Sequence, residues 1–317
     1  MSTVTAERVA LGSSDVQVST LGIGAWAWGD RFVWGYKNGY NDADLQAAFQ
    51  ATLDAGINLL DTAEMYGFGR SEKLIGQFMR ESGQRTLIAT KFMPLPWRFM
   101  KSQLISALRG SLRRLGVQCV DLYQIHWPSP PVAIETWMDA LADAVEAGLT
   151  RAVGVSNYSV KQMERAYTAL AKRGIALASN QVEYSLLARA PERNGLLKLC
   201  HELHVTLIAY SPLAMGLLTG KYTPDNPPRG MRARWYKPPY LAQIQPLLTL
   251  LREIGQAQGG RTPSQVALNW LICKGALPIP GAKNVRQVQD NAGALGWRLT
   301  DDQVAALDAA AERLHAI

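Results

Sequence analysis

The 317-residue sequence predicts a closed (β/α)8 TIM barrel, and three observations carry that expectation. Short β-rich runs alternate with helix-patterned stretches along the chain. The polar residues that end those runs recur at the length of one βα unit. No shift in composition divides the chain, so a single barrel domain is expected over residues 1–317. A doubly wound sheet is the runner-up architecture.

The strand candidates come in order. "TLGIGAW" (20–26) is the first, followed by "INLLD" ending at Asp61, "TLIATK" at Lys91, "DLYQIH" at His126 and "RAVGVSN" at Asn157. "ASNQVEY" carries Gln181 and Glu183, "TLIAYS" ends at Ser211, and "ALPIPGA" (276–282) is the eighth. From Asp61 onward, through Glu183, the end points are spaced by 30, 35, 31, 26 and 28 residues. Runs such as "LIAT" and "LIAY" are apolar on both faces, as buried parallel strands are.

The helices carry their own punctuation. Ser159 with Gln162, Thr262 with Gln265 and Thr300 with Gln303 have capping-box spacing, the second with Pro263 at the first helical position. Gly56, Gly116, Gly148 and Gly174 stand where C-terminal caps belong. The stretch 102–115 places Leu104, Ile105, Leu108, Leu112 and Leu115 on one helical face. Two features fall outside the units. "RVALGSSDVQVST" (8–20) reads as a hairpin turning at Gly12 to Asp15 and able to close the barrel's bottom. The stretch 213–240, rich in Pro and aromatics, reads as an active-site loop.

Composition excludes several classes. Hydrophobic content of 48% and 19% charged residues are globular values. No run of 18 apolar residues exists and "MSTVTAERVA" lacks an apolar signal core, so a cytoplasmic protein without a membrane partner is expected. Cys119, Cys200 and Cys273 are odd in number and far apart, as reduced thiols are. The net charge of +7 has its densest cluster at Arg229, Arg232, Arg234 and Lys237, too short and Pro-rich for a recognition helix. It reads as a solvated loop, and no nucleic-acid partner is expected. "GIGAWA" (22–27) fits a loose dinucleotide fingerprint, but no helix begins after it. "LCHELH" sets Cys200, His201 and His204 close together without a fourth ligand, so no metal is expected.

In a barrel the C-terminal strand ends share one mouth, where active sites of this fold lie. Asp61, Lys91, His126 and Asn157 end consecutive strands, so they should line one wall. Each alone reads as a solvated strand terminus; four useful groups on neighbouring strands read as a site.

Asp61 with Tyr66, Lys91 and His126 resembles the tetrad of the aldo-keto reductases. "GINLLDTAEMYGFGRSEKLIG", "DLYQIHW", "GVSNYS", "NQVEYSLL", "AYSPLAMGLLTGKY" and "IPGAKN" look like that family's motifs in the family's order. The resemblance runs from "LGIGAWAWG" to "GWRLTDDQVAAL". It implies NADPH (NADP+) bound at the barrel mouth and reduction of a carbonyl substrate to an alcohol.

The residues suit that chemistry. Tyr66 would give the carbonyl oxygen its proton. Lys91 would stabilise the phenolate and so lower the tyrosine's pKa from near 10. Asp61 would pair with Lys91, and His126 would hydrogen-bond the substrate carbonyl. By resemblance, Ser156, Asn157 and Gln181 hold the nicotinamide carboxamide and Tyr210 stacks beneath the ring. Trp26 and Asp61 also border the cofactor. Ser211, Pro212, Leu213, Gly216 and Lys221 match the loop over the pyrophosphate. Ile279, Gly281 and Ala282 lead into a helix whose N-terminus favours phosphate. Lys283 is placed for the 2′-phosphate and Gln287 and Asn291 for the adenosine, with Asp290 among the cofactor-binding residues as well. The helix residues also read as plain surface.

Trp26, Trp28, Phe92 and Trp127, with Tyr66, are expected to form a flat apolar substrate pocket. "AWAWG" followed by "WGY" is similar to the plant-type pyridoxal reductase branch, which implies an aromatic aldehyde such as pyridoxal. Two alternatives stand beside this reading. One is a cofactor-sensing regulatory subunit, as some members of the superfamily are; the other is a barrel aldolase with Lys91 as Schiff base. The chain could be a monomer or a homo-oligomer.

Overall fold

A computed structural model describes residues 7–128, 130–228 and 236–314. An antiparallel hairpin, β1 (Arg8–Ala10) and β2 (Gln17–Ser19), precedes the barrel. The barrel strands are β3 (Ile23–Gly24), β4 (Leu59–Asp61), β5 (Leu87–Phe92), β6 (Val120–Ile125), β7 (Thr150–Ser156), β8 (Leu177–Glu183), β9 (Thr206–Tyr210) and β10 (Leu277–Pro278). They pair in parallel in sequence order from β3 to β10. First and last strands then meet, because Gly22 and Gly24 donate to the carbonyls of Pro278 and Pro280, both at 3.0 Å. All eight expected strands are present.

Helices α1 (Asp42–Asp54), α2 (Arg70–Ser82), α3 (Lys101–Leu115), α4 (Ile134–Glu146) and α5 (Val160–Ala171) follow successive strands. The short α6 (Ala190–Arg193) and α7 (Leu196–Glu202) follow β8. The stretch after β9 contains a 3-10 turn (Ala214–Thr219), then α8 (Pro238–Gln243), α9 (Gln245–Ala257) and α10 (Pro263–Cys273). After β10 come α11 (Val285–Ala292) and α12 (Asp301–Arg313). Thr262 and Thr300 cap α10 and α12, accepting from the Gln265 and Gln303 amides at 3.2 and 3.3 Å while each Gln side chain returns to the cap amide. Arg229, Arg232 and Arg234 lie outside the described residues, and Lys237 precedes α8. Cys200 and His201 belong to α7, with Cys200 buried against Met163. Among the described residues no helix is long and apolar enough to cross a membrane.

Two cores build the body. The larger fills the space between sheet and helices. The smaller lies inside the barrel, where Leu11, Val16 and Val18 of the hairpin meet Leu59, Ala89, Leu122, Ala152 and Ile208 of the strands. The hairpin therefore plugs the barrel's bottom. Its turn needs glycine: Gly12 has φ +57°, and a Cβ there would come within 2.4 Å of the Ala178 carbonyl oxygen.

The inner core also dictates the mouth. Side chains two residues apart share a face of a strand. Stepping upward from Leu59, Ala89 and Ile208 gives Asp61, Lys91 and Tyr210, and two further steps along β6 from Leu122 give His126. One alternating pattern thus supplies an apolar plug below and polar groups above.

Candidate active site

Lys91 is the centre of the mouth. Its side chain is fully buried, and Nζ donates to Asp61 Oδ1 at 2.5 Å, to the Thr62 carbonyl at 2.8 Å and to Tyr66 OH at 3.4 Å. Those three bonds match the three hydrogens of an ammonium. Asp61 Oδ2 accepts from Gln181 Nε2 at 2.8 Å, so both carboxylate oxygens are engaged across the barrel. Thr62 is fixed in turn, its hydroxyl donating to Ser71 Oγ at 2.8 Å and Ser71 Oγ to the Ala25 carbonyl at 2.9 Å. Tyr66 opens a 3-10 turn whose next two residues, Gly67 and Phe68, have positive φ.

The charges sort themselves by burial. Desolvation works against the Lys91 ammonium, but Asp61 and Tyr66 beside it hold its pKa above the ordinary value. For Tyr66 burial raises the pKa, Lys91 pulls it down and Asp61 pushes it up. The net direction is upward, which corrects the expectation that Lys91 leaves this tyrosine a stronger acid than usual. Lys91 acts in the expected sense, yet desolvation of the phenolate outweighs it. The phenol therefore keeps its proton at neutral pH.

His126 follows β6, its amide donating to the Phe92 carbonyl at 2.9 Å. Its ring meets Tyr66 edge to face, with centroids 5.8 Å apart and planes at 78°. Among the described residues its buried Nδ1 has no hydrogen-bond partner. Burial, and secondarily Lys91, lower its pKa from 6.5 to about 3, so the imidazole is neutral at pH 7. The unfolded chain binds a proton near pH 6.5 and the folded one only near 3. The stability from this burial is complete above pH 6.5 and is lost as the pH falls toward 3. At pH 5 the loss is roughly 2 kcal/mol. His126→Asn should flatten that part of the profile in denaturant unfolding at pH 5 and 7, and an unchanged slope would contradict the assignment.

A cavity of about 580 Å3 opens above this cluster, within the range of small-molecule sites. The wall nearest that cluster contains Trp26, Asp61, Tyr66, His126 and Trp127. Ser156, Asn157, Gln181 and Tyr210 form the next wall. Asn157 Nδ2 donates to the His126 carbonyl at 3.1 Å, and Tyr210 OH donates to Asn157 Oδ1 at 3.0 Å. Ser156 Oγ donates to the Gln181 carbonyl at 2.8 Å. Asn157 and Ser211 have φ of 62° and 49°, uncommon for non-glycine residues and clustered at the cavity. Ser211, Pro212, Leu213, Gly216 and Lys221 line the far side with Ile279, Gly281, Lys283, Gln287, Asp290 and Asn291.

Three expectations about this cavity fail. Trp28 is fully buried behind the wall, its indole donating to the Ala282 carbonyl at 2.8 Å. Ala282 is buried as well and lends that carbonyl to Trp28 instead of lining the cavity. Phe92 adjoins inward-facing Lys91, so strand alternation turns it outward, with its ring 5.0 Å from Trp137 of α4. Asp290 does line the cavity, but its Oδ1 also bridges helices by accepting from Thr262 Oγ1 at 2.8 Å. Trp127 lines the cavity and is 44% exposed. β6 ends at Ile125, so Trp127 lies beyond the pleat, and Pro128 after it keeps this backbone from entering a helix.

Sequence reasoning missed Trp34, Met65, Met215, Thr219 and Ser264, which also line the cavity. Ser264 lies in the first turn of α10, and the Thr262-Pro263 start signal was available to find it. Nothing in the spacing marks Trp34, whose loop is irregular.

A nicotinamide dinucleotide fits what is present. Amide and hydroxyl groups sit beside the Asp61, Lys91 and Tyr66 cluster, with the Tyr210 ring at the wall. The N-terminus of α11, Lys283 and Lys221 stand at the other end for anionic groups.

Comparison with known proteins agrees with this arrangement. The model of the aldo/keto reductase family matches residues 20–312. The chloroplastic pyridoxal reductase of Arabidopsis thaliana is 43% identical, the match covering 96% of this chain and 86% of that protein. A glycerol dehydrogenase structure from Gluconobacter oxydans superposes with a TM-score of 0.84 at 29% identity, covering 99% of this chain and 96% of that one. An aldo/keto reductase structure from Klebsiella pneumoniae, in complex with NADP and acetate, gives 0.75 at 28% identity, with 96% and 95% covered. The chain belongs to the aldo/keto reductase family. It is an oxidoreductase of carbonyl compounds built on the barrel described above.

Proposed function

We propose that the protein reduces an aldehyde or ketone to an alcohol with NADPH, taking the proton from Tyr66, and that an aromatic aldehyde such as pyridoxal is a substrate. The observation that carries this reading is the Lys91 ammonium, bonded at once to Asp61 and to Tyr66 OH. A bound nicotinamide supplies the hydride. The chain's own residues do the rest. Tyr66 holds a proton at neutral pH and gives it to the carbonyl oxygen as the carbon is reduced. Lys91 stabilises the phenolate that remains, and Asp61 keeps the ammonium charged in a buried site. Neutral His126 hydrogen-bonds the carbonyl oxygen and orients it without competing as an acid.

Lys283, in a partly exposed position, suits a charge-assisted contact with the 2′-phosphate of NADPH. Trp26 and Trp127 suit a flat ring, and the similarity to the Arabidopsis pyridoxal reductase supports pyridoxal in particular. A panel of aldehydes with NADPH and NADH in parallel, followed by nicotinamide absorbance, tests this reading. Pyridoxal and other aromatic aldehydes with NADPH should be turned over fastest. Preference for short aliphatic aldehydes, or for NADH, would overturn it.

Trp127→Ala should raise KM for bulky aromatic aldehydes more than for small aliphatic ones. A fully buried Trp cut to Ala costs about 3–5 kcal/mol, but a half-exposed wall residue should cost much less. Thermal unfolding measured beside the kinetics separates the two roles. An unstable variant with unchanged selectivity would refute the wall assignment.

A further inference from the structure

Trp34 lies in the first βα loop, and its backbone is held in place. Asp30 Oδ1 accepts from the Val33 and Trp34 amides at 2.8 and 3.3 Å, and the Asp30 carbonyl accepts from the Tyr36 amide at 2.9 Å. Arg70 of α2 fastens the same loop by donating to Tyr36 OH at 2.8 and 3.0 Å.

The Trp34 ring then faces two ways. It meets Trp26 edge to face with centroids 5.5 Å apart, and Trp26 lies 6.3 Å from the Tyr66 ring. The Lys283 ammonium stands 5.1 Å from the Trp34 centroid and 4.7 Å from that of Tyr40. Lys283 Nζ also donates to the Trp34 carbonyl at 3.5 Å. One indole therefore touches both the substrate wall and the cation at the other end of the cavity.

We propose that Trp34 is a specificity-determining residue at both ends: it holds the Lys283 ammonium where a 2′-phosphate meets it, and it backs Trp26 against aromatic carbonyl substrates. The proposal rests on the reading that Lys283 faces the 2′-phosphate of NADPH. The attraction of a cation for two aromatic faces places a flexible lysine before the ligand arrives, so less ordering remains to be done on binding. NADH carries no phosphate there and gains nothing from the placement. Edge-to-face packing keeps Trp26 from yielding when a flat ring presses on it.

The test uses Trp34→Leu, Trp34→Phe, Lys283→Ala and the Trp34→Leu/Lys283→Ala double variant. Calorimetric titration gives the affinities for NADPH and NADH, and kinetics at saturating NADPH give KM for an aromatic and a short aliphatic aldehyde. Lys283→Ala should weaken NADPH about tenfold and leave NADH unchanged. Trp34→Leu should lower the NADPH-over-NADH preference about two- to fivefold, with Trp34→Phe retaining most of it. In the double variant the leucine should add no further loss of preference, while still raising the aromatic aldehyde's KM selectively. Equal weakening of both cofactors by Trp34→Leu, additive losses in the double variant, or an effect at one end only would overturn the proposal. Should the leucine variant fail to fold, the phenylalanine variant must show the same changes in reduced size, and its failure to do so is equally decisive. Lys283→Ala without effect on the preference would instead refute the underlying reading of the 2′-phosphate site.

Discussion

Tyr66→Phe should lower kcat by roughly 10^2- to 10^4-fold, the usual contribution of a positioned proton donor. The variant keeps the ring that meets His126 edge to face and lies beside Trp26, and loses only the hydroxyl at 3.4 Å from Lys91 Nζ. Lys91 keeps its bonds to Asp61 and to the Thr62 carbonyl, so its charge stays compensated. NADPH affinity should hardly change, because only the hydroxyl is removed and the side chains proposed to hold the cofactor keep their places. Near-normal turnover would show that the proton comes from elsewhere.

Lys91→Met should remove both activity and stability. Tyr66 would lose the ammonium that lowers its pKa and be left with burial and Asp61, both of which raise it. Asp61 would stand as a buried carboxylate without its cation, still accepting from Gln181 Nε2. Breaking a buried ion pair from one side typically costs about 3–5 kcal/mol. Replacing both partners costs less, so Lys91→Met with Asp61→Asn should be more stable than Lys91→Met alone while remaining inactive. Denaturant unfolding of the three proteins checks this. A single variant as stable as the parent would mean that Asp61 takes up a proton at little cost.

Much of this site was legible in the chain because the barrel converts strand ends into neighbours. Asp61, Lys91 and His126 could be placed together from spacing alone, and the inner core shows why: each lies an even number of steps above an apolar residue of the plug. The same rule, applied to Phe92, would have turned it outward, since it directly follows Lys91. Trp28 failed for another reason. The chain after β3 is irregular, so its direction depends on a tertiary bond to the Ala282 carbonyl that no local pattern encodes. Trp34 was missed likewise, because its place against Trp26 and Lys283 is set by a loop anchored through Asp30 and Arg70. The direction of the Tyr66 pKa also lay beyond sequence. Its sign depends on how completely the ring is enclosed, and burial wins over the lysine beside it.

The central claim, multiple-turnover reduction of an aromatic aldehyde by NADPH, is tested most directly with pyridoxal in large excess over enzyme. NADPH consumption should continue through many enzyme equivalents and match the amount of alcohol formed one to one. Oxidation that stops after a single equivalent per chain would contradict the account and favour a cofactor-sensing subunit.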